Sequence, residues 1–548
     1  MTDAPRTYIT TTIPYVNARP HLGFALELVQ ADVLARHRRQ AGDDVRLLTG
    51  TDDNSLKNVI AAEAAGVGVQ EFVDRNAVAF ERLRDPLSLS FDDFIRTSSD
   101  PRHRVGVERL WQRVAEAGDL YRKHYEGLYC VGCEQFWTPE DLDGGNCPEH
   151  GTPPRPVAEE NWFFRLSRHA DTLRRLIGDG TLRIEPASRR NEVLGLIDGG
   201  LHDFSVSRSR TRARGWGIPV PGDDDQVVYV WWDALGNYVT SLGYGTGGED
   251  FDRWWAGSGR RIHLVGKGVI RFHAVYWPAM LLSAGLPLPT DVLVHDYLTV
   301  EGRKISKSAG TVVDPADLVA RYGTDAVRWW LLRDVPRVGD ADFTAERLVQ
   351  RHDTDLAGGV GNLVNRIVTM VHRYRAGRPP AVRGGDVPGV ARVVGVARVG
   401  GIAAVSEWLA RAVEESAGRV GSALEDYDFR QAAAAVWTVV EEANRCIDAT
   451  RPWVHARAEK DGDRASAERL DDVLGALLAS CLVLAERLTP FLPDAAARIT
   501  AQCTPVDGVL PPPAPLFPRL SDTAARPAEA GQETGGQGTA GRRAVAGA

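Results

Sequence analysis

Thr10-Thr11-Thr12-Ile13-Pro14-Tyr15-Val16-Asn17-Ala18-Arg19-Pro20-His21-Leu22-Gly23-Phe24 is the stretch on which the fold turns. Tyr8 to Pro14 reads as a strand, a turn follows at Asn17, Pro20 and Gly23, and apolar residues at helical spacing predict a helix from Ala25 to Gln40. A second strand, Asp44 to Leu48, runs into Thr49-Gly50-Thr51-Asp52. Strand, loop, helix and strand in that order predict a parallel sheet. Ligands of such sheets bind beyond the carboxyl ends of the strands, which places His21 and Asp52 on one rim.

The rest of the 548-residue chain is long enough for three or four packed domains, since single cores stop growing at roughly 250 to 300 residues. The net charge of -8 means that any contact with RNA must come from a local basic patch. No charged segment followed by an apolar run opens the chain. The most apolar stretch, Val473 to Ala485, falls short of the about 20 residues a membrane span needs, so a soluble cytoplasmic protein is expected. Six cysteines are too few for a disulfide framework and fit a reducing compartment.

Around residues 118–190 the sheet pattern gives way to aromatics, prolines and Cys/His spacing, which predicts an insertion between a first half of the sheet domain, 1–117, and a second half, 191–295. In the second half, Arg261 to Gly266 and Thr290 to His295 read as strands and Val269 to Ala284 as helical between them. Residues 296–350 are expected to hold a lysine loop and a stem-contact region. From 351 to 518 the period is helical and alanine-rich, which predicts a helix bundle; 519–548 lack bulky apolar residues and read as a disordered tail.

Three constellations carry chemistry. At the first turn, Gly23 lets a nucleotide approach the backbone, the helix amino terminus favours phosphate, and His21 can donate to phosphoryl oxygens; taken alone, the string reads more readily as an ordinary turn histidine. In Gly302-Arg303-Lys304-Ile305-Ser306-Lys307-Ser308-Ala309-Gly310, two lysines on a flexible loop can close over a triphosphate, although a solvated basic loop has the same composition. Cys130-x-x-Cys133 and Cys147-x-x-His150 have the spacing of a closed tetrahedral Zn2+ site, which leaves no position for substrate and is therefore structural.

The histidine turn and the lysine loop resemble the paired ATP-binding signatures of class I aminoacyl-tRNA synthetases. From about residue 7 to 490 the chain is similar to methionyl-tRNA synthetases, through Ile13-Pro14-Tyr15-x-Asn17, the cysteine insertion, Glu160-Asn161-Trp162-Phe163-Phe164, Ser205-x-Ser207-Arg208, Tyr229-Val230-Trp231-Trp232-Asp233-Ala234 and Phe272-His273-Ala274. The resemblance implies a Rossmann-like α/β catalytic domain with a zinc-knuckle insertion, followed by an α-helical anticodon-binding bundle. It implies that His21, Lys304 and Lys307 are catalytic and that Asn17, His21, Gly23, Lys304, Ser306, Lys307 and Ser308 bind ATP, with Mg2+ on the phosphates. Ile13, Tyr15, Trp231, Ala234, Leu235, Tyr238, Val269 and His273 would line the amino-acid pocket, Asp52 would pair with the substrate ammonium, and Arg208 would lie near its carboxylate and the lysine loop. An aromatic-rich apolar cavity with a few polar tips suits an unbranched thioether. Asn362, Arg366 and Trp453 would meet the anticodon, the indole by stacking and the polar groups by reading base edges. The expected activity is ATP-dependent activation of L-methionine and its transfer to tRNA(Met), by a monomer.

The chain departs from the family at four places. Phe24 replaces a second histidine, Asp53-Asn54-Ser55 follows Asp52 where an acidic-His-Gly run is usual, Gly268 stands for a ribose-contacting aspartate, and Leu235 and Asn237 replace proline and glycine. Such changes around one site also fit a drug-resistant isoform, or a paralogue that makes an aminoacyl-adenylate for another acceptor. A weakly catalytic tRNA-binding relative is a third reading, against which Lys304, Lys307 and Asp52 speak.

Overall fold

The computed structural model describes residues 4–148, 151–305, 313–380 and 400–521. Its centre is a six-stranded sheet, in the order Asp93–Arg96, Asp44–Thr51, Arg6–Thr11, Arg260–Gly266, Asp291–His295, Arg183–Glu185, with every neighbouring pair parallel. Chain order reverses between Arg6–Thr11 and Arg260–Gly266, which opens a crevice at the carboxyl ends of those two strands. The helix after the first strand, Leu22–Ala41, starts three residues earlier than its apolar period suggested. The side chain of His21 caps it by accepting the Phe24 amide, and Gly42, at φ 99°, ends it.

The two faces of the sheet feed two cores. On one, helix Leu22–Ala41 packs with Thr324–Arg333 and with the helical region beyond residue 352. On the other, Pro101–Glu116, Val230–Thr240 and Trp277–Ala284 form an aromatic-rich core. Asp32 and Arg328, both fully buried, pair at 2.8 Å across the first core; Arg328 also donates to the carbonyls of Phe491, Leu87 and Pro490 at 2.8, 2.9 and 3.0 Å. A buried guanidinium needs such a full set of acceptors. The bundle comprises Asn362–Arg375, Glu407–Glu425, Phe429–Thr450, Pro452–Lys460, Arg464–Leu488 and Pro493–Cys503.

The insertion does not respect the boundaries read from composition. Its sheet joins the hairpin Leu120–Cys130 and Arg155–Phe164 to Gln135–Trp137 on one side and Phe204–Ser205 on the other. Arg183–Glu185, expected within the insertion, is instead the edge strand of the main sheet, whereas Phe204–Ser205, expected in the second half of the sheet domain, belongs to the insertion. Strands of two or three residues are too short to show a period, so composition could not sort them. At the other end, Leu298–Val300 pairs with Arg303–Lys304 and with Ala341–Phe343, forming a small three-stranded sheet. Leu520 and Ser521, assigned to the tail, donate their amides to Asp353 at 2.8 and 3.1 Å; residues 522–548 lie outside the described residues. No helix among the described residues is long and apolar enough to cross a membrane.

Candidate active site

Each element that reaches the crevice does so just past a strand's carboxyl end: Thr12 to Tyr15 after the first, Asp52 after the second, Lys267 to Val269 after Arg260–Gly266, and Asp296 after Asp291–His295. Two adjoining cavities result. One, of about 310 Å³, is walled by Ile13, Tyr15, Trp231, Ala234, Leu235, Tyr238, Val269 and His273, with Asn17, His21 and Asp52 also lining it. The second, of about 260 Å³, is lined by Gly23, Glu27, Gly268, His295, Leu298 and Ile305 among others; Thr12, Pro14, His21, Phe24 and Val269 face both.

The first cavity is apolar with a fixed polar end. The indole of Trp231 stacks on Phe272 at 3.7 Å between centroids, and the Tyr15 ring meets it edge-on at 6.5 Å. His273 donates from Nδ1 to the Val269 carbonyl at 2.9 Å, so Nε2 accepts from the Tyr238 hydroxyl at 2.7 Å. Burial pushes the His273 pKa down to about 4, so the ring is neutral at physiological pH.

Asp52 sits at the opposite pole of charge. It is 1% exposed and accepts the Asn54 amide at 3.2 Å. Burial first, then the fields of Asp233, Glu134 and Asp53, hold its carboxyl well above the ordinary carboxylate range. Each of those three acids has its own partner: Asp53 pairs with Arg96 at 2.8 Å, Glu134 with Arg208 at 2.9 Å, and Asp233 meets the His103 ring. Among the described residues no cationic side chain pairs with Asp52 itself. A cation entering the cavity meets the carboxylate that lacks one.

His21 stands between the cavities. Its Nδ1 accepts the Phe24 amide at 3.3 Å, which leaves the proton of the neutral ring on Nε2. The ring folds over Gly23, where a Cβ would lie 3.0 Å from Cε1, so a side chain there would push the histidine away. Behind it, Glu27 accepts the Thr12 amide and hydroxyl, both at 2.6 Å, and meets His295 Nε2 at 2.9 Å. His295 Nδ1 also lies 2.9 Å from the Asp296 carbonyl, so both ring nitrogens face acceptors. Burial opposes the charge, but the Glu27 carboxylate outweighs it and the His295 pKa is raised. Sequence reading missed this pair; the available signal was Glu27, an acid at a buried position of an apolar helix.

The lysine loop is anchored at both ends beside His21. Ile305 lines the second cavity, and the Val313 carbonyl accepts the amide of Leu22, the residue after His21, at 3.0 Å. Lys304 lies in the strand Arg303–Lys304; Ser306, Lys307 and Ser308 lie outside the described residues.

In the insertion, the sulfurs of Cys130, Cys133 and Cys147 lie within 4.8 Å of one another, and Cys133 and Cys147 are 3.7 Å apart. Two thiolates on one tetrahedral zinc are separated by about 3.8 Å, so the three residues fit that metal. His150, the expected fourth ligand, lies outside the described residues. Arg208, expected near the substrate carboxylate, is buried and paired with Glu134, lies against the Tyr229 ring and lines neither cavity.

In the bundle, Arg366 donates to Asn444 Oδ1 at 3.3 Å, Asn362 is exposed at the start of the same helix, and the Trp453 indole is 46% exposed. An indole left open to water has the chemistry of a base-stacking platform.

Comparison with known proteins gives a consistent answer. The sequence profile described as "tRNA synthetases class I (M)" matches residues 7–155 and 138–368. A methionine-tRNA ligase of Thermotoga maritima is 39% identical over 90% of this chain and 74% of its own length, and methionine-tRNA ligase 1 of Bacillus cereus is 36% identical over 94% and 78%. Among solved structures, Mycobacterium tuberculosis methionyl-tRNA synthetase in complex with methionyl-adenylate superimposes with a TM-score of 0.85 at 37% identity, covering 94% of this chain and all of that one.

Proposed function

The chain belongs to the methionine-tRNA ligases of the class I tRNA synthetases, and from that premise we propose how its two cavities divide the work: it activates L-methionine with ATP and transfers it to tRNA(Met). The reading rests above all on the shared wall, because one histidine, His21, faces both an apolar cavity with an uncompensated carboxylate and a second cavity that abuts the lysine loop.

Methionine enters the first cavity with its ammonium at Asp52 and its thioether among Tyr15, Trp231, Leu235 and Val269, ending at the neutral His273 and Tyr238 pair. Its carboxylate, ionised at neutral pH, needs no general base. One of its oxygens bonds to the α-phosphorus of ATP as the bond to pyrophosphate breaks. Charge moving onto the phosphates meets the Nε2 proton of His21 and the ammonium groups of Lys304 and Lys307, which is catalysis by placed electrostatics. Magnesium accompanying ATP would supply further neutralisation. A ribose hydroxyl of the terminal adenosine of tRNA, the 2′ in this class, then attacks the activated carbonyl and AMP departs. Asn362, Arg366 and Trp453 select the tRNA by its anticodon, and Cys130, Cys133, Cys147 and His150 hold a structural zinc. The protein works as a cytoplasmic monomer.

Pyrophosphate exchange with each of the twenty amino acids, followed by charging of tRNA(Met), tests this. Exchange should require methionine, and the Trp453→Ala and Arg366→Ala variants should lose charging by about 5- to 150-fold while exchange is unaltered. Exchange driven by another amino acid would overturn the substrate, and exchange without charging would overturn the acceptor.

A further inference from the structure

Glu134 directly follows the second knuckle cysteine, yet its side chain points out of the knuckle. It is fully buried, with φ 55°, in the left-handed region that residues bearing a Cβ occupy at a cost of about 1 kcal/mol. Its contacts hold it there. Oε1 accepts the Ser55 hydroxyl at 2.6 Å and the Lys57 amide at 3.4 Å, while Oε2 accepts Arg208 at 2.9 Å and the Tyr129 hydroxyl at 3.3 Å. Its carbonyl accepts the Tyr229 hydroxyl at 2.5 Å, and one residue earlier the Cys133 carbonyl accepts Trp231 Nε1 at 3.3 Å.

Trp231 lines the methionine cavity, and two of the other partners adjoin the segments that wall it. Ser55 stands three residues after Asp52 and caps helix Leu56–Ala64. Tyr229 and Trp231 open helix Val230–Thr240, which carries Ala234, Leu235 and Tyr238 into the cavity. Glu134 itself lines neither cavity, so it can reach the substrate only through what it holds. We propose that Glu134 is a positioning residue for amino-acid binding, the strap through which the metal-held cysteine knuckle sets the geometry of Asp52 and Trp231. The proposal rests on reading the larger cavity as the methionine site.

The test is calorimetric titration of L-methionine into the full-length protein, zinc-loaded and after chelation, for the native chain and for Glu134→Ala and Glu134→Gln, with metal content and thermal midpoint measured alongside. Loss of several buried hydrogen bonds in Glu134→Ala should weaken methionine binding at least about 20-fold with zinc retained and kcat for exchange changed by less than about threefold. Glu134→Gln is isosteric and keeps an oxygen for Ser55, so it should fold and weaken binding about fivefold. Chelation should weaken the native protein at least about tenfold but Glu134→Ala no more than about twofold, since the strap is already cut. Unaltered affinity in both variants, or an equal effect of chelation on native and variant, overturns the proposal while leaving the cavity reading intact. A zinc-loaded native protein that binds no methionine overturns both.

Discussion

Replacing Asp52 by asparagine separates the charge of that carboxyl from its shape. In the ligand-free protein, burial and the neighbouring acids raise its pKa well above the ordinary value. A substrate ammonium supplies the missing cation and draws the pKa back down, so binding releases a proton. Below the raised pKa of the free pocket that proton must leave before the pair forms; affinity therefore rises with pH, by up to tenfold, or about 1.4 kcal/mol, per unit, and levels off above it. The D52N variant has no proton to release. Its binding should be flat in pH and weaker by about 2–5 kcal/mol, the loss of a buried charge pair, or roughly 30-fold to several thousandfold. Stability should move the other way. A folded pKa above the unfolded one contributes stability that is fully present below the unfolded value and is lost as pH rises through the folded one, so at neutral pH the free D52N protein should melt at a higher temperature than the native chain. Calorimetric titration with methionine in two buffers of different ionisation enthalpy counts the protons released. A native affinity independent of pH, with D52N within threefold of it, would refute the reasoning.

Three other outcomes are expected. Tyr238→Phe leaves His273 Nε2 without its 2.7 Å donor and should raise KM for methionine in pyrophosphate exchange by about 5- to 100-fold, with weaker rejection of norleucine; an unchanged KM would place the polar end of the cavity elsewhere. Arg328→Ala strands the buried Asp32 and should lower stability by about 3–5 kcal/mol in denaturant unfolding, whereas a loss under 1 kcal/mol would show that Arg36, 2.9 Å from Asp32, suffices. A chain ending after Ser521 keeps both amides on Asp353 and should retain full activity and melting temperature, while one ending before Leu516 also loses Phe517 from beside His352 and should melt earlier; equal melting of the two would refute the docking.

The first strand, helix and second strand were legible because each is long enough to show its period, and the rim position of His21 and Asp52 followed from the parallel order alone. The pocket residues were not legible in that way. Trp231, Tyr238 and His273 look like core residues to any periodicity, and only the resemblance singled them out as a group; the structure brings them to one cavity. The partner of Arg208 was not legible either, since the buried Glu134 that pairs with it follows a cysteine in a turn and carries no pattern. Charge pairs such as Glu27 with His295 join residues 268 positions apart, beyond the reach of local spacing.

The route of the chain between the two sheets restricts how this protein can be rebuilt. It leaves the main sheet, makes the hairpin, returns to lay down Arg183–Glu185, and departs again to add Phe204–Ser205 to the hairpin's sheet. A graft exchanging the metal-bearing segment with a relative's cannot be joined at two points in sequence without tearing an edge from one sheet or the other. Successful chimaeras will have their seams before Leu120 and after Val228, and whatever is moved will take the pocket's neighbours with it.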